Sequence, residues 1–161
     1  KGGLLLAFGK KLRAAFYEKV PSYAEAIELV DRKDLYPWHA DFCSRLGMTF
    51  SHGDYSRIQG VRENAETAEK LFRKSLSYCP DHRAYLGLGI IRQRKGEFKE
   101  SVKILQEGLS HWPDSEDLNL CLGITSMNLG DFTTALDRFS KFPKSRAARA
   151  YMDECHEALR G

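Results

Sequence analysis

The sequence repeats itself with a period of 34 residues between positions 82 and 143. A shift of 34 places Leu88 and Gly89 on Leu122 and Gly123. The same shift aligns two further glycines, two aromatic residues, two small residues and two bulky residues: Gly96 with Gly130, Phe98 with Phe132, Ser101 with Ala135, and Leu105 with Phe139. Recurrence at this period, with small and bulky positions in a fixed order, predicts an array of paired helices.

The repeated positions resemble those of the tetratricopeptide repeat (TPR). The shared features are a Leu-Gly pair on the first helix, a glycine followed two residues later by an aromatic residue at the turn, a small residue four positions before a bulky one on the second helix, and Pro113 after it. The resemblance implies an all-α fold, a TPR-like right-handed superhelix of antiparallel helix pairs that ends in a C-terminal capping helix. It also implies a non-catalytic scaffold that binds other proteins.

We predict a single helical-repeat domain over residues 1–161. Residues 4–36 are a degenerate repeat, with Pro21 at the turn, or an unrelated N-terminal cap of two helices. Residues 37–80 fit one repeat if about nine extra residues are inserted near positions 56–64, and an inserted loop costs little because closure entropy grows slowly with length. Residues 81–114 form a repeat, and residues 115–143 form a truncated one because Pro143 comes early. Residues 145–160 form a capping helix whose apolar face is Ala148, Tyr151, Met152, Cys155 and Leu159.

Composition fits a small folded domain, since 42% of the residues are hydrophobic and 29% are charged. The net charge of +3 is too small to imply a polyanionic partner by itself. The longest apolar run at the N-terminus, residues 4–8, is too short to span a bilayer.

The four cysteines are widely spaced and indicate reduced thiols, which favours a cytoplasmic location. The chain begins with Lys1, so we expect it to be a piece of a longer protein.

Few residues suggest chemistry. His39 and Cys43 are one helical turn apart, but no second pair of ligands accompanies them, and we predict neither a metal site nor a cofactor. No nucleophile, base and orienting group can be assembled from the motifs of the sequence. We therefore predict that the chain is not an enzyme on its own.

The TPR resemblance implies that the first helix of each pair lines a concave groove that binds the ligand. The corresponding positions fall on one helical stripe per repeat: Leu86, Ile90, Gln93 and Arg94; Leu120, Ile124, Met127 and Asn128; and Met48 and His52 on an earlier helix. The stripes are largely apolar, unlike the Lys, Asn and Arg clamp with which some TPR proteins hold acidic tails. They suit a protein or peptide partner that presents an amphipathic helix or an extended apolar segment. The alternative is a groove filled by neighbouring side chains or by the final helix.

A second resemblance suggests another role. Residues 12–23 are similar to the basic, aromatic helix that follows the catalytic domain in cobalamin-binding radical SAM enzymes, some of which end in TPRs. It implies that the chain is a regulatory or docking appendage of a larger enzyme. Nucleic-acid binding is a third alternative, which we do not expect because the central basic cluster is interleaved with glutamates such as Glu97 and Glu100.

Overall fold

The computed structural model describes residues 43–45, 47–48 and 65–160. Residues 43–45 and 47–48 are helical. The six helices that follow are α1 (Ala65–Leu76), α2 (His82–Arg94), α3 (Phe98–His111), α4 (Glu116–Asn128), α5 (Phe132–Ser140) and α6 (Arg146–Arg160). The chain divides into two compact units, Lys1–Cys79 and Pro80–Gly161. Within the described ranges, no helix is both long enough and apolar enough to cross a membrane.

The helices of the second unit form sequential antiparallel pairs, which confirms the all-α prediction. Helix α2 packs against α3, and α4 packs against α5. The second pair stacks on the first through the contact of α4 with α3, and α6 stacks on the second pair through its contact with α5. In addition α2 contacts α4, and α4 contacts α6. The helices α2, α4 and α6 therefore lie side by side in one layer.

Each helix of this layer begins with a polar side chain that caps its free backbone N–H groups. Asp81 accepts hydrogen bonds from the backbone N–H groups of Arg83 and Ala84, at 2.9 and 3.1 Å. The hydroxyl oxygens of Ser115 and Ser145 accept from the N–H three residues later, each at 3.3 Å. Asp and Ser are favoured at this position because their oxygens satisfy donors that the helix leaves unpaired. A capping residue before the first helix of each pair, and before α6, is thus a further repeated feature beside the glycines.

The turn inside each pair is built around a glycine with a positive φ angle. Gly96 and Gly130 have φ values of 75° and 77°, a conformation that other residues rarely adopt. The next residue in each turn, Glu97 or Asp131, donates its N–H to the carbonyl five residues earlier, at 2.9 Å in both cases. These are the bonds of a Schellman motif, which ends a helix and reverses the chain.

A second kind of glycine allows the two helices of a pair to cross closely. A Cβ atom on Gly89 would lie 2.6 Å from Cδ2 of Leu105, and one on Gly123 would overlap the ring of Phe139. The first unit contains the same arrangement, because a Cβ on Gly47 would lie 2.7 Å from Cε1 of Phe72. Each glycine leaves the space into which a bulky side chain of the second helix packs. These contacts are 34 residues apart in the two later pairs, as the sequence alignment predicts.

Helix α6 repeats the pattern of α2 and α4, but with a shift of 30 residues from Ser115 to Ser145. The shift is shorter because α5 has only nine residues, whereas α3 has 14. Buried Ala148 and Cys155 of α6 anchor it on the core that Phe139 provides. Leu159, which we predicted on the same apolar face, is 56% exposed and lies in the last turn of the helix.

Several predictions concern residues outside those that the structure describes. They are the degenerate repeat or cap at 4–36, the insertion near 56–64, and the segment 12–23 on which the radical SAM resemblance depends. Likewise, His39 and His52 lie outside the described ranges.

Candidate binding surface

Five apolar side chains on α2 and α4 are half-buried rather than buried in the core. We call them the apolar stripe: Leu86, Ile90, Leu120, Ile124 and Met127. The three on α4 pack partly against the cluster that joins α5 and α6. Because α2 and α4 are neighbours and the residues recur at a spacing of 34, their exposed parts lie side by side. All five were predicted as groove residues, and the structure leaves part of each side chain accessible.

Gln93, another predicted groove residue, contacts its neighbouring helix. Its Nε2 atom donates to the backbone carbonyl of Cys121 at 2.9 Å and to the hydroxyl oxygen of Thr125. Both hydrogens of the side-chain amide are used, so only Oε1 remains for a ligand. Gln93 thus connects α2 to α4 and helps to set the distance between them.

The other predicted polar positions lie at the ends of the stripe. Asn128 is exposed and donates from Nδ2 to the carbonyl of Ile124 in its own helix, at 3.1 Å. Arg94 is exposed in the last turn of α2. Met48 is half-buried in the first unit.

A buried polar network beneath the stripe was not predicted from the sequence. The hydroxyl of Ser101 donates to the carbonyl of Gly89 at 2.9 Å, and its oxygen lies 3.4 Å from the hydroxyl oxygen of Thr125. Thr125 in turn donates to the carbonyl of Cys121 at 2.8 Å. The sequence feature that could have indicated the network is the serine at position 101, because the equivalent position in the next repeat is Ala135. The network joins α2, α3 and α4 in one hydrogen-bonded unit, and Gln93 completes it.

Helix α6 adds a third row to the surface, and sequence analysis missed it because of the change of register. With the shift of 30, Ala150 corresponds to Leu120, Glu154 to Ile124, and Glu157 to Met127. Each of these α6 residues is exposed. The surface therefore changes from apolar on α2 and α4 to small and acidic on α6. The cap at Ser145 is the sequence feature from which this register could have been found.

A cluster of rings at the junction of α3 and α4 was also missed. The Tyr85 and His111 rings stack with centroids 6.0 Å apart, and His82 meets Trp112 edge-on at 5.7 Å. His82 Nε2 lies 2.6 Å from the hydroxyl oxygen of Ser115, the cap of α4. An open pocket of about 460 Å³ is lined by His82, His111, Trp112, Pro113, Asp114 and Ser115.

The hydroxyl of Tyr85 donates to Oε1 of Glu107 at 2.9 Å and so joins α2 to α3. Burial, the hydrogen bond and the negative charge of Glu107 raise the pKa of Tyr85 to about 12. All three effects favour the neutral phenol. The cluster therefore stabilises the stacking of helices.

Two buried thiols have pKa values shifted away from the range of a reactive cysteine. Burial raises the pKa of the Cys121 thiol to about 12 and also raises the pKa of the Cys155 thiol. A reactive thiol requires the opposite shift. Across the part of the chain that the structure describes, no three His, Cys, Asp or Glu side chains are grouped to hold a metal ion.

The second unit consists of paired helices whose glycine crossings lie 34 residues apart, and it ends in α6, which repeats the pattern of α2 and α4. These features define a TPR-like helical-repeat fold, as the sequence predicts. A structure of a MamA mutant, a TPR-repeat protein, matches with a TM-score of 0.59 and 16% identity, over 99% of this chain and 90% of that chain. Two structures of MamA AMB-1 match with TM-scores of 0.57 and 0.51 and identities of 18% and 21%. They cover 94% and 86% of this chain, and 82% and 84% of theirs. No protein-family model and no curated protein matches the chain. At these identities the similarity is one of fold.

Proposed function

We propose that the chain is a non-catalytic module that binds a protein or peptide on the apolar stripe. The observation that carries the proposal is the row of half-buried leucine, isoleucine and methionine side chains on adjacent helices. Residues of this type are most often fully buried, and a contiguous exposed group of them marks an interaction surface. Covering apolar surface stabilises a complex by roughly 25 cal/mol per Å².

The form of the stripe favours an apolar segment as the partner. Leucine and isoleucine provide a fixed apolar surface on α2 and α4, and Met127 can adapt to different ligand shapes. An amphipathic helix or an extended apolar strand of the partner would cover such a surface. The network of Gln93, Ser101 and Thr125 supports this role, because a fixed distance between α2 and α4 lowers the entropic cost of binding.

A cytoplasmic location is part of the proposal. Its support is that Cys121 and Cys155 are buried as thiols, the state that a reducing compartment maintains.

Selection of peptides from a random phage-displayed library on the full chain tests the proposal. The double variant Leu86→Lys with Ile90→Lys puts two charges on the stripe, and the long lysine side chains can reach water without unfolding the helix. The matched control is Ile104→Lys, which changes a half-buried isoleucine on α3, outside the layer of α2, α4 and α6. We expect enriched peptides to bind wild type and Ile104→Lys and to lose at least tenfold in affinity for the double variant. Peptides that bind all three proteins equally would contradict the proposal.

A further inference from the structure

Three rings and a carboxylate surround the open pocket at the junction of α3 and α4, which we call the ring pocket. The imidazole of His82 and the indole of Trp112 are inclined at 88°, with centroids 5.7 Å apart. The imidazole of His111 is inclined at 54° to the same indole, at 5.5 Å. Asp114 adds its carboxylate to the lining, and the volume of about 460 Å³ is within the range of ligand pockets in proteins.

We propose that the ring pocket binds an arginine side chain of a partner protein. Aromatic faces attract cations, and an indole does so most strongly. A guanidinium is planar, so it can stack on a ring and donate two parallel hydrogen bonds to a carboxylate. Trp112 and Asp114 supply these two groups from one turn. The ring pocket is a second site beside the apolar stripe, and the inference does not depend on the proposed function.

The carboxylate of Asp114 is available to such a ligand. Asp114 is exposed, and with the residues that the structure describes it forms neither a hydrogen bond nor an ion pair. The next residue, Ser115, is engaged instead, since its hydroxyl oxygen caps α4 and lies 2.6 Å from Nε2 of His82. These contacts hold one ring of the pocket in place and leave the negative charge of Asp114 unpaired.

The charge of the surrounding segment also favours a cation. Residues 104–137 contain six aspartates and glutamates and neither lysine nor arginine, although the whole chain has a net charge of +3. Arg83 adjoins His82 in α2, but successive residues of a helix point in different directions, and Arg83 already interacts with other groups of the chain. The field of the segment therefore attracts a cation towards the pocket.

The junction of α5 and α6 shows that the turn itself does not require these groups. Its residues 142–145, Phe-Pro-Lys-Ser, correspond to Trp-Pro-Asp-Ser at 112–115. In each turn the N–H of the serine donates to the carbonyl of the aromatic residue, at 3.0 and 3.1 Å respectively. Lys144 nevertheless stands in place of Asp114. The same chain reversal is made with the opposite charge, so reversal alone does not explain the carboxylate beside the indole.

The test is a titration of the full chain with N-acetyl-arginine amide, followed by the backbone amide signals in proton–nitrogen NMR spectra. The titration is run at pH 8, because protonated imidazoles would oppose the cation. N-acetyl-citrulline amide, which has nearly the same shape and no charge, is the control ligand. We expect weak, saturable shifts at residues 111–117 with the arginine derivative only, and weaker binding at high salt. Equal shifts with the citrulline derivative would overturn the inference.

Two carboxylate variants locate the site. Asp114→Asn keeps the size of the side chain and removes its charge, so binding should weaken about fivefold or more. The matched control is Glu116→Gln, which removes an exposed carboxylate two residues away that does not line the pocket. It should change the affinity by less than about twofold, because an exposed charge outside the contact is screened. Equal losses in both variants would mean that the ligand responds only to the charge of the segment, and would overturn the site.

Trp112→Leu tests the contribution of the indole. It should bind the arginine derivative at least as weakly as Asp114→Asn, because the largest aromatic face is lost. The amide signals of α5 and α6, which lie away from the substitution in sequence, report whether this variant folds. A folded Trp112→Leu that binds like wild type would overturn the inference, and if the variant does not fold, the comparison of Asp114→Asn with Glu116→Gln decides it.

Discussion

At the scale of single residues, the sequence predicts steric positions better than hydrogen-bonding ones. Gly89 was expected at a close crossing, and the structure places Leu105 against it, since only a missing side chain leaves that space. Gln93 was expected to face the ligand because of its place on the stripe. An amide can donate to a ligand or to a carbonyl of the next helix with equal ease, and helical spacing does not distinguish these partners. Side-chain orientation therefore had to come from the structure.

The crossing at Gly89 gives the first prediction. Gly89→Leu should lower the free energy of unfolding by about 1–3 kcal/mol or more, because the new side chain must enter space that Leu105 fills. Urea unfolding followed by circular dichroism measures the change. The double variant with Leu105→Ala should show strong coupling, since the smaller residue at 105 makes room. Additive effects of the two substitutions would show that the residues do not share the space.

The cysteines give a second prediction at this scale. Cys79 is exposed, whereas Cys43, Cys121 and Cys155 are buried. Since burial raises the pKa of Cys121 to about 12, almost none of it is thiolate at pH 8, and the thiolate is the reactive form. A disulfide reagent should modify one thiol rapidly in the native protein and the other three only after unfolding. The rapid phase should vanish in Cys79→Ser. Rapid modification of Cys121, detected by mass spectrometry, would contradict the burial.

At the scale of helices, the regular repeat was predictable and its irregular end was not. The turns at Gly96 and Gly130 follow from the need for a positive φ angle. The early Pro143 indicated a truncated pair, but we did not extend this shift to α6, and Glu154 was therefore not recognised as a surface position. A shift of four residues moves every side chain of a helix by about 40°. The stripes of α2 and α4 were predicted because no such shift separates them.

Tyr85 links two helices through a group whose protonation changes with pH. In the folded protein the pKa of Tyr85 is about 12, whereas the ordinary value for tyrosine is 10.0, so the unfolded chain loses the proton first. The stabilisation by Tyr85 is therefore complete below pH 10 and is lost as the pH rises towards 12. Tyr85→Phe should cost about 0.5–1.5 kcal/mol at pH 8, by loss of the hydrogen bond to Glu107, and less at pH 11. Urea unfolding of both proteins across this range measures the difference, and a constant difference would contradict it.

Helix α6 covers the apolar end of the last pair. Its Ala148 and Cys155 belong to one cluster with Ala135 and Phe139, and its Tyr151 ring stacks on Phe139 at 5.4 Å. Deletion of residues 145–161 should expose this cluster and cause self-association, because a contiguous exposed apolar patch favours it. Light scattering measures the association. Tyr151→Ala, which keeps the helix, should give a smaller effect in the same direction. A deleted chain that stays monomeric with an unchanged helical signal would show that α6 is not needed as a cover.

At the scale of the whole molecule, stability should vary along the second unit according to the number of packed neighbours. In helical arrays each unit contacts only the next, so local opening spreads from the ends. Helix α4 packs against α2, α3, α5 and α6, whereas the main contacts of α6 within that unit are with α5 and α4. Hydrogen exchange measured by mass spectrometry should therefore find the slowest amides in α4 and faster ones in α6.

The substitution Gly123→Leu distinguishes this gradient from a single cooperative unit. It forces a side chain into the ring of Phe139 at the crossing of α4 and α5, so exchange should accelerate most in α5 and α6, which depend on that crossing. Helices α2 and α3 have their own crossing at Gly89, and their amides should change less. Equal acceleration in all five helices from α2 to α6 would mean that the unit opens as a whole.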